Sequence, residues 1–323
     1  MSHDPRGLYD ERTSERFYDE RYSDGYMDDW PAEKKQRVHE IIKSFELPEQ
    51  GDALDFGCGN GVFTEVLQQA LPGWSIYGTD ISAVAIENAK RRLPDCIFFT
   101  PSDEDSMSRR FDFLLTHHVL EHVYDLHAMW RQITDFMKPR SGMLHIAPCG
   151  NAGSFEFELC SLRTDGTDPT MENRFFFEDP GHVRRLTTGQ LSSLATESGF
   201  ALSKGFYGNQ YYGAVDWITL NGPTFVLTLT DSSRANSAEA RKELKAIRRR
   251  LLPIAVLRYL RARVSSFRHK RKSMKNSIGF VAGLVSFPVS GLVDRIVRRR
   301  ADAEWRRKKT EPNGSELYLY FER

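Results

Sequence analysis

Apolar positions along the chain change period several times, and each change marks an element. Val38, Ile41, Ile42 and Phe45 recur at helical spacing behind Pro31, which predicts a helix opened by that proline. The short apolar run Ala53-Leu54 leads into Asp55-Phe56-Gly57-Cys58-Gly59-Asn60-Gly61, and Phe63, Val66, Leu67 and Ala70 follow at helical spacing. This reads as strand, glycine turn, helix. A second strand, 75–80, ends on Asp80, and Ser82 caps a helix expected over 82–92, stopped at Leu93-Pro94. Strands are expected at 96–100 and 111–116, then a helix over 125–138 ended by Lys138-Pro139. After a turn at Ser141-Gly142, a fifth strand is expected over 143–148. Residues 149–185 read as a long loop rich in aromatics and acids, placed where a substrate-specificity segment would lie. A helix from Thr188 to Ser198 stops at Gly199 and gives way to a sixth strand reaching Tyr207. Much further on, Glu316-Leu317-Tyr318-Leu319-Tyr320-Phe321 alternates and is rich in aromatics, as a strand requires.

The glycine turn carries chemistry. Backbone angles with φ > 0 are costly for a residue with a side chain, and a Cβ would hold a ligand off the main chain. The helix behind the turn presents unpaired N–H groups and a positive dipole end, which favour an anionic or electron-rich group. The spacing is Asp55-x-Gly57-x-Gly59-x-Gly61, not the G-x-G-x-x-G of dinucleotide sites. Asp80 follows Gly61 by 19 positions, and a carboxylate at a strand's end can accept hydrogen bonds from ribose hydroxyls.

The order Asp-x-Gly-x-Gly-x-Gly, then Gly78-Thr79-Asp80-Ile81-Ser82, resembles the class I S-adenosylmethionine-dependent methyltransferases. So does Phe111-Asp112-Phe113-Leu114-Leu115, and so does Val119-Leu120-Glu121-His122-Val123, similar to a loop of the ubiquinone-biosynthesis-type small-molecule enzymes. The resemblance covers about 51–207 and the last eight residues. It implies an α/β fold: a Rossmann-like, seven-stranded sheet whose last strand runs antiparallel between the fifth and sixth, with a helical insertion before that strand. It implies S-adenosyl-L-methionine as cofactor, held by Asp55, Gly57, Cys58, Gly59, Gly61, Asp80, Ile81, Asp103 and His117. Asp103 would bond the adenine amino group, with a loop cap as its competing reading. The division expected is 1–50, an aromatic lid and helix; 51–207, the cofactor-binding core; 208–314, an insertion; and 315–323, the final core strand. Phe17, Tyr18, Tyr22, Tyr26 and Trp30 supply the lid's aromatics, which equally suit a helix packed on the core.

Methyl transfer from a sulfonium is an in-line displacement, so the protein mainly aligns donor and acceptor and takes up a proton. For an oxygen acceptor a histidine base suits. His118 and His182 are the substrate-facing candidates, with Glu121 to orient one of them; His122 is a further candidate with a structural alternative. His118-x-x-Glu121-His122 with His182 also resembles the metal-binding arrangement of certain methyltransferases, with His in place of their first Glu. Leu-Glu-His occurs widely in relatives without metal, so none is expected. The acceptor class is a small molecule, a sugar or a lipid-linked molecule such as a glycolipid.

Charge changes this picture. The net charge of +1 conceals 23 Lys+Arg against 5 Asp+Glu in 234–309, a balance of +18 opposed by −17 elsewhere. Two apolar blocks lie in this stretch: 251–257, behind Arg248-Arg249-Arg250, and 278–293, sixteen residues without a charge. The second is shorter than the ~20 residues a membrane span needs. The expectation is a membrane-surface arm against anionic lipid; a helical subdomain or dimer element is the alternative. Nucleic acid is disfavoured, because Tyr259, Phe267 and Trp305 are few aromatics to interleave with so many basic residues. An RNA methyltransferase using the basic arm, and a non-catalytic cofactor-binding or membrane-scaffold protein, remain as other functions. Four cysteines without a C-x-x-C pair and a polar amino terminus point to the cytoplasm, peripheral at the inner face of the membrane.

Overall fold

A computed structural model describes residues 11–25, 27–179, 181–267 and 274–323. In chain order the elements are α1 (Glu11–Ser23), α2 (Ala32–Lys43), β1 (Asp52–Phe56), α3 (Val62–Ala70), β2 (Ser75–Thr79), α4 (Ala83–Arg92) and β3 (Ile97–Phe99). Then come α5 (Glu104–Met107), β4 (Phe111–His117), α6 (Leu126–Asp135), β5 (Met137–Pro148), α7 (Phe155–Ser161), β6 (Thr167–Asp168) and β7 (Arg174–Phe175). The remainder is α8 (Thr188–Glu197), β8 (Ala201–Gly208), α9 (Tyr212–Leu220), α10 (Pro223–Leu229), α11 (Ala238–Phe267), α12 (Met274–Lys308) and β9 (Glu316–Glu322).

Seven strands make one sheet in the order β3-β2-β1-β4-β5-β9-β8. β1 pairs in parallel with β2 and β4, which sets Asp55 between Gly78 and Leu115. β9 runs against β5: Cys149 N donates to Ser315 O at 2.8 Å, and Arg323 N to Ser141 O at 3.1 Å. The expected Rossmann-like architecture, with its reversed strand between the fifth and sixth, is therefore present. Its interior is apolar because both faces are covered; Leu54, Phe113, Leu114, Leu144 and Leu319 are wholly buried. The Ser82 cap also forms, accepting from Ala85 N at 3.1 Å.

Pro139 behaves otherwise than expected. The helix ends at Asp135, and β5 starts at Met137 rather than Met143. Met137 pairs with Phe111 and Gly142 with Phe113, so residues 138–141 bulge out of the ladder. A bulge leaves N–H groups unpaired, which is where a strand tolerates proline. Ser141 Oγ closes the bulge by donating to Lys138 O, and Lys138 Nζ reaches Asp52 at 2.9 Å and Asp112 at 2.8 Å.

The chain gathers into two compact units, and they cut it differently from the four-part division read from the sequence. One holds the described residues up to Ala147 with Gly189–Gly205 and Tyr318–Arg323; the other holds those of Pro148–Thr188 and Phe206–Leu317. The stretch 149–185, expected as a loop, contains α7 and the β6–β7 ribbon and belongs with α9 to α12. The second unit has its own core: Leu159 of α7, Ile218 of α9, Val226 and Leu229 of α10, Ile247, Leu251 and Ala255 of α11, and Val297 of α12. The apolar block 251–257 thus turns one face inward, as a helical subdomain would. Arg258 of α11, itself buried, ties Asp216 of α9 (2.6 Å) to Asp294 of α12 (2.8 Å). Among the described residues no helix is long and apolar enough to cross a membrane. The basic run 268–272 lies outside the described residues.

Candidate cofactor and active site

The site is built in the first unit, at the carboxyl ends of β1, β2 and β4. Gly57 follows β1 with φ +76°, and a Cβ there would meet Val119 Cγ2 at 2.5 Å. Gly59, at φ +50°, would place a Cβ 2.7 Å from the Tyr22 hydroxyl. Both positions exclude a side chain on two counts, backbone conformation and space. The turn's own amides are used within the fold. Gly57 N and Cys58 N donate to Thr79 O, Gly61 N donates to Cys58 O, and Gly59 N donates to Asp80 Oδ2 at 2.9 Å. The space beside Gly57 and Gly59 is taken by Val119 and Tyr22, which the absence of a Cβ lets come this close.

Two carboxylates define the polarity here. Asp55 is buried; Thr64 Oγ1 donates to its Oδ2 at 2.6 Å, while Oδ1 is buried with no hydrogen-bond partner among the described residues. Burial raises its pKa to about 7, the Thr64 bond partly opposes this, and the charge of Asp80 adds to it. Asp80 accepts from Gly59 N and Ser82 N, one bond to each oxygen, which leaves each oxygen a further lone pair. Burial raises its pKa too, against those bonds and with help from Asp19. Ile81 links Asp80 to the Ser82 cap. Thr79 Oγ1, at the end of β2, is also buried without a partner among the described residues. Orphaned buried polar atoms are uncommon; Thr79 pairs with Phe56, so it shares that residue's face of the sheet, and Asp55 lies on the other. Cys58 is held as the thiol, because burial and the charges of Asp80 and Asp55 push its pKa well up. Asp103 is an exposed cap of α5, accepting from Ser106 N and Ser106 Oγ.

At the end of β4 the histidines gather. His117 stacks on Phe63 with ring centroids 3.7 Å apart, and Trp30 meets it edge-on at 4.8 Å. Burial, then the charges of His118 and Lys34, hold its pKa well below the ordinary value, so it stays neutral. His118 adopts a left-handed backbone, φ +57°, which is uncommon outside glycine and costs energy. Its Nδ1 lies 2.8 Å from Oε1 of the buried Glu121. His122 meets Tyr18 edge-on at 6.0 Å. His182 is in the second unit, paired through Nδ1 with Glu178.

The amino-terminal segment crosses this region. Beyond the Tyr22–Gly59 approach, Ser82 Oγ donates to Asp19 and Asn60 Nδ2 donates to Asp28 Oδ1 at 2.8 Å. Lys34 Nζ lies over both Trp30 (5.6 Å) and Tyr318 (5.1 Å). Asp19, Thr64, Thr79 and His145 escaped the sequence reading. His145 is wholly buried on β5, with Nδ1 2.6 Å from Thr116 Oγ1, and burial takes its pKa to about 4. A single polar residue in an apolar strand was the available signal for it.

A family model described as a methyltransferase domain matches residues 26–204, more than half of the chain. The chain belongs to the methyltransferase domain family. The matched stretch contains the methyltransferase glycine turn, Asp80 and the histidine loop. A malonyl-[acyl-carrier protein] O-methyltransferase of Priestia megaterium is 24% identical over 140 residues, 42% of this chain and 50% of that protein. A trans-aconitate 2-methyltransferase of Paracidovorax citrulli is 35% identical over 80 residues, 22% of this chain and 31% of that protein. The chain thus spans half or less of the length of these curated relatives. The solved DhpI–SAM–HEP complex is similar at 22% identity and a TM-score of 0.44, over 63% of this chain and 92% of that one.

Proposed function

We propose that this methyltransferase domain transfers a methyl group from S-adenosyl-L-methionine to an oxygen of a small-molecule acceptor. The observation that carries the reading is Asp55 Oδ1, buried without a hydrogen-bond partner among the described residues, beside a glycine turn that no Cβ could enter. A cationic, hydroxyl-bearing ligand is what such a place lacks. Asp55 would meet the donor's positive charge and Asp80 its ribose, while Phe63, His117 and Trp30 form an apolar wall that keeps water out. The bound cofactor would supply a methyl group already activated on a sulfonium. His118, oriented by Glu121, is the group to accept the acceptor's proton. The Priestia relative's name reports O-methylation, which supports an oxygen as the receiving atom. Calorimetry tests the reading: S-adenosyl-L-methionine and its demethylated product should bind, and Asp80→Ala should weaken both by at least tenfold. No heat of binding to folded protein would refute it. His118→Ala should then lower turnover ~10²-fold with cofactor affinity unchanged.

A lipid-linked acceptor at an anionic membrane surface is the finer part of this proposal. It draws support from the +18 balance of 234–309 and from the exposed Val289, Leu292 and Ile296 along α12. Basic residues near such a surface contribute ~1 kcal/mol each. Changing those three apolar residues to serine should abolish co-flotation with phosphatidylserine vesicles. Equal flotation of both forms would remove the membrane.

A further inference from the structure

α1 touches the site at several points without belonging to the core beneath it. None of its described side chains is buried, whereas α2 buries Val38, Ile41 and Ile42. A small set of polar contacts holds the stretch down. Asp19 Oδ1 accepts from Ser82 Oγ and from Val84 N at 3.3 Å. Val84 is in the first turn of α4, where amides lack helical partners and the dipole favours an anion; the chain's own carboxylate takes that place. Further on, Asn60 Nδ2 donates to Asp28 Oδ1 at 2.8 Å and Arg92 Nη1 to Asp28 O at 3.2 Å. Between these two attachments the Tyr22 hydroxyl lies 2.7 Å from where a Cβ on Gly59 would stand. Asp80 takes the other donor of the same serine, Ser82 N, at 2.9 Å. Burial raises the pKa of Asp80, and the charge of Asp19 adds to the rise.

An element held by a few surface hydrogen bonds and no buried apolar side chain belongs to the low end of local stability. We propose that the stretch carrying Asp19, Tyr22 and Asp28 is a strap that gates this site: latched, it seats Tyr22 against Gly59 beside Asp80, and a ligand enters or leaves only when Asp19 lets go of α4. This gate presupposes that the glycine turn holds the cofactor, and it adds what controls exchange there. Gly59 then has a second reason to lack a side chain, because the notch it leaves receives the strap. The latch also opposes the ligand electrostatically. Asp80 accepts hydroxyl donors best when ionised, and Asp19, held at the same Ser82, works against that charge until it moves away.

Stopped-flow mixing of the full-length protein with the demethylated product of S-adenosyl-L-methionine tests the strap. Tryptophan fluorescence follows it, since Trp30 borders the site at Phe63 and His117. In the wild type the observed rate should level off at high ligand concentration, at the rate of strap opening. Asp19→Ala loses both bonds of the latch and should raise that plateau about tenfold or more; Asp28→Ala, which loses the bond from Asn60, should raise it by a smaller factor. A wild-type rate that climbs linearly with ligand overturns the proposal without any variant needing to fold, and so does a plateau that Asp19→Ala leaves in place. If calorimetry finds that the product binds neither form, the cofactor reading fails, and hydrogen exchange of the ligand-free protein judges the strap by itself. There Asp19→Ala should speed exchange of the Val84 amide and of the α1 amides about tenfold, with those of α2 unchanged. Equal exchange of α1 in the two forms overturns the strap.

Discussion

Asp55 should make the ligand-free protein less stable as the solution becomes more alkaline. Its pKa rises from the ordinary 3.8 to about 7 because the fold removes the carboxylate from water and sets it near Asp80. The folded chain therefore binds more protons than the unfolded chain between those two values, and stability falls as pH rises across that window. Above pH 7 the full penalty applies: a gap of about three pH units at 1.36 kcal/mol each, or about 4 kcal/mol. Asp55→Asn removes the charge and keeps an oxygen for the Thr64 hydroxyl, which now bonds at 2.6 Å. The variant should gain about 4 kcal/mol over wild type at pH 8 and only about 1.5 kcal/mol at pH 5. Urea unfolding followed by tryptophan fluorescence at both pH values measures the difference. A gain that is the same at the two values, or a loss at pH 8, would refute the electrostatic account. The same variant should bind S-adenosyl-L-methionine more weakly, because the strained charge is also what would receive a cation.

Three further outcomes are expected. Gly57→Ala should lower stability by about 1–3 kcal/mol and weaken cofactor binding, since the residue must keep φ +76° with Val119 2.5 Å from the new methyl; chemical denaturation and calorimetry read the two effects. Arg185→Met should cost about 3–5 kcal/mol, because Glu156 and Glu178 would remain buried without their counter-charge; denaturant midpoints at fixed pH would show it. Trp30→Ala should lower cofactor affinity by several-fold through loss of ring contacts of about 0.5–1.5 kcal/mol each with Phe63 and His117, and calorimetric titration would detect it.

The turn after β1 was legible because its constraints are local: three glycines at alternate positions with an acid ahead of them dictate backbone shape wherever the chain goes next. The Ser82 cap and the alternation in β9 are local in the same sense. Pro139 misled for the opposite reason. Proline reads as a stop, and only the pairing of Met137 with Phe111 and Gly142 with Phe113 reveals a bulge with room for it. α7 was missed because seven residues give periodicity too little length, although Ser154 accepts from Phe157 N at 3.2 Å as a cap should. The Glu156–Arg185–Glu178–His182 chain had no local signature. Glu178, His182 and Arg185 share one irregular stretch, where no periodicity pairs them, and Glu156 comes from α7, so the pairing depends on how a whole unit folds. Asp19, from a segment legible only as aromatic and acidic, was found at Ser82 for the same reason.

The place of β9 has a cost during synthesis. β8 enters the sheet only through β9, yet more than a hundred residues separate Gly208 from Glu316. At ~5–20 residues per second the ribosome needs about 5–20 s to cross that distance. Through that interval β5 and β8 each present an unsatisfied edge to other nascent chains, which is the condition under which strands pair wrongly. Slow translation of the helical stretch would lengthen this exposure, and chaperone demand should rise with it.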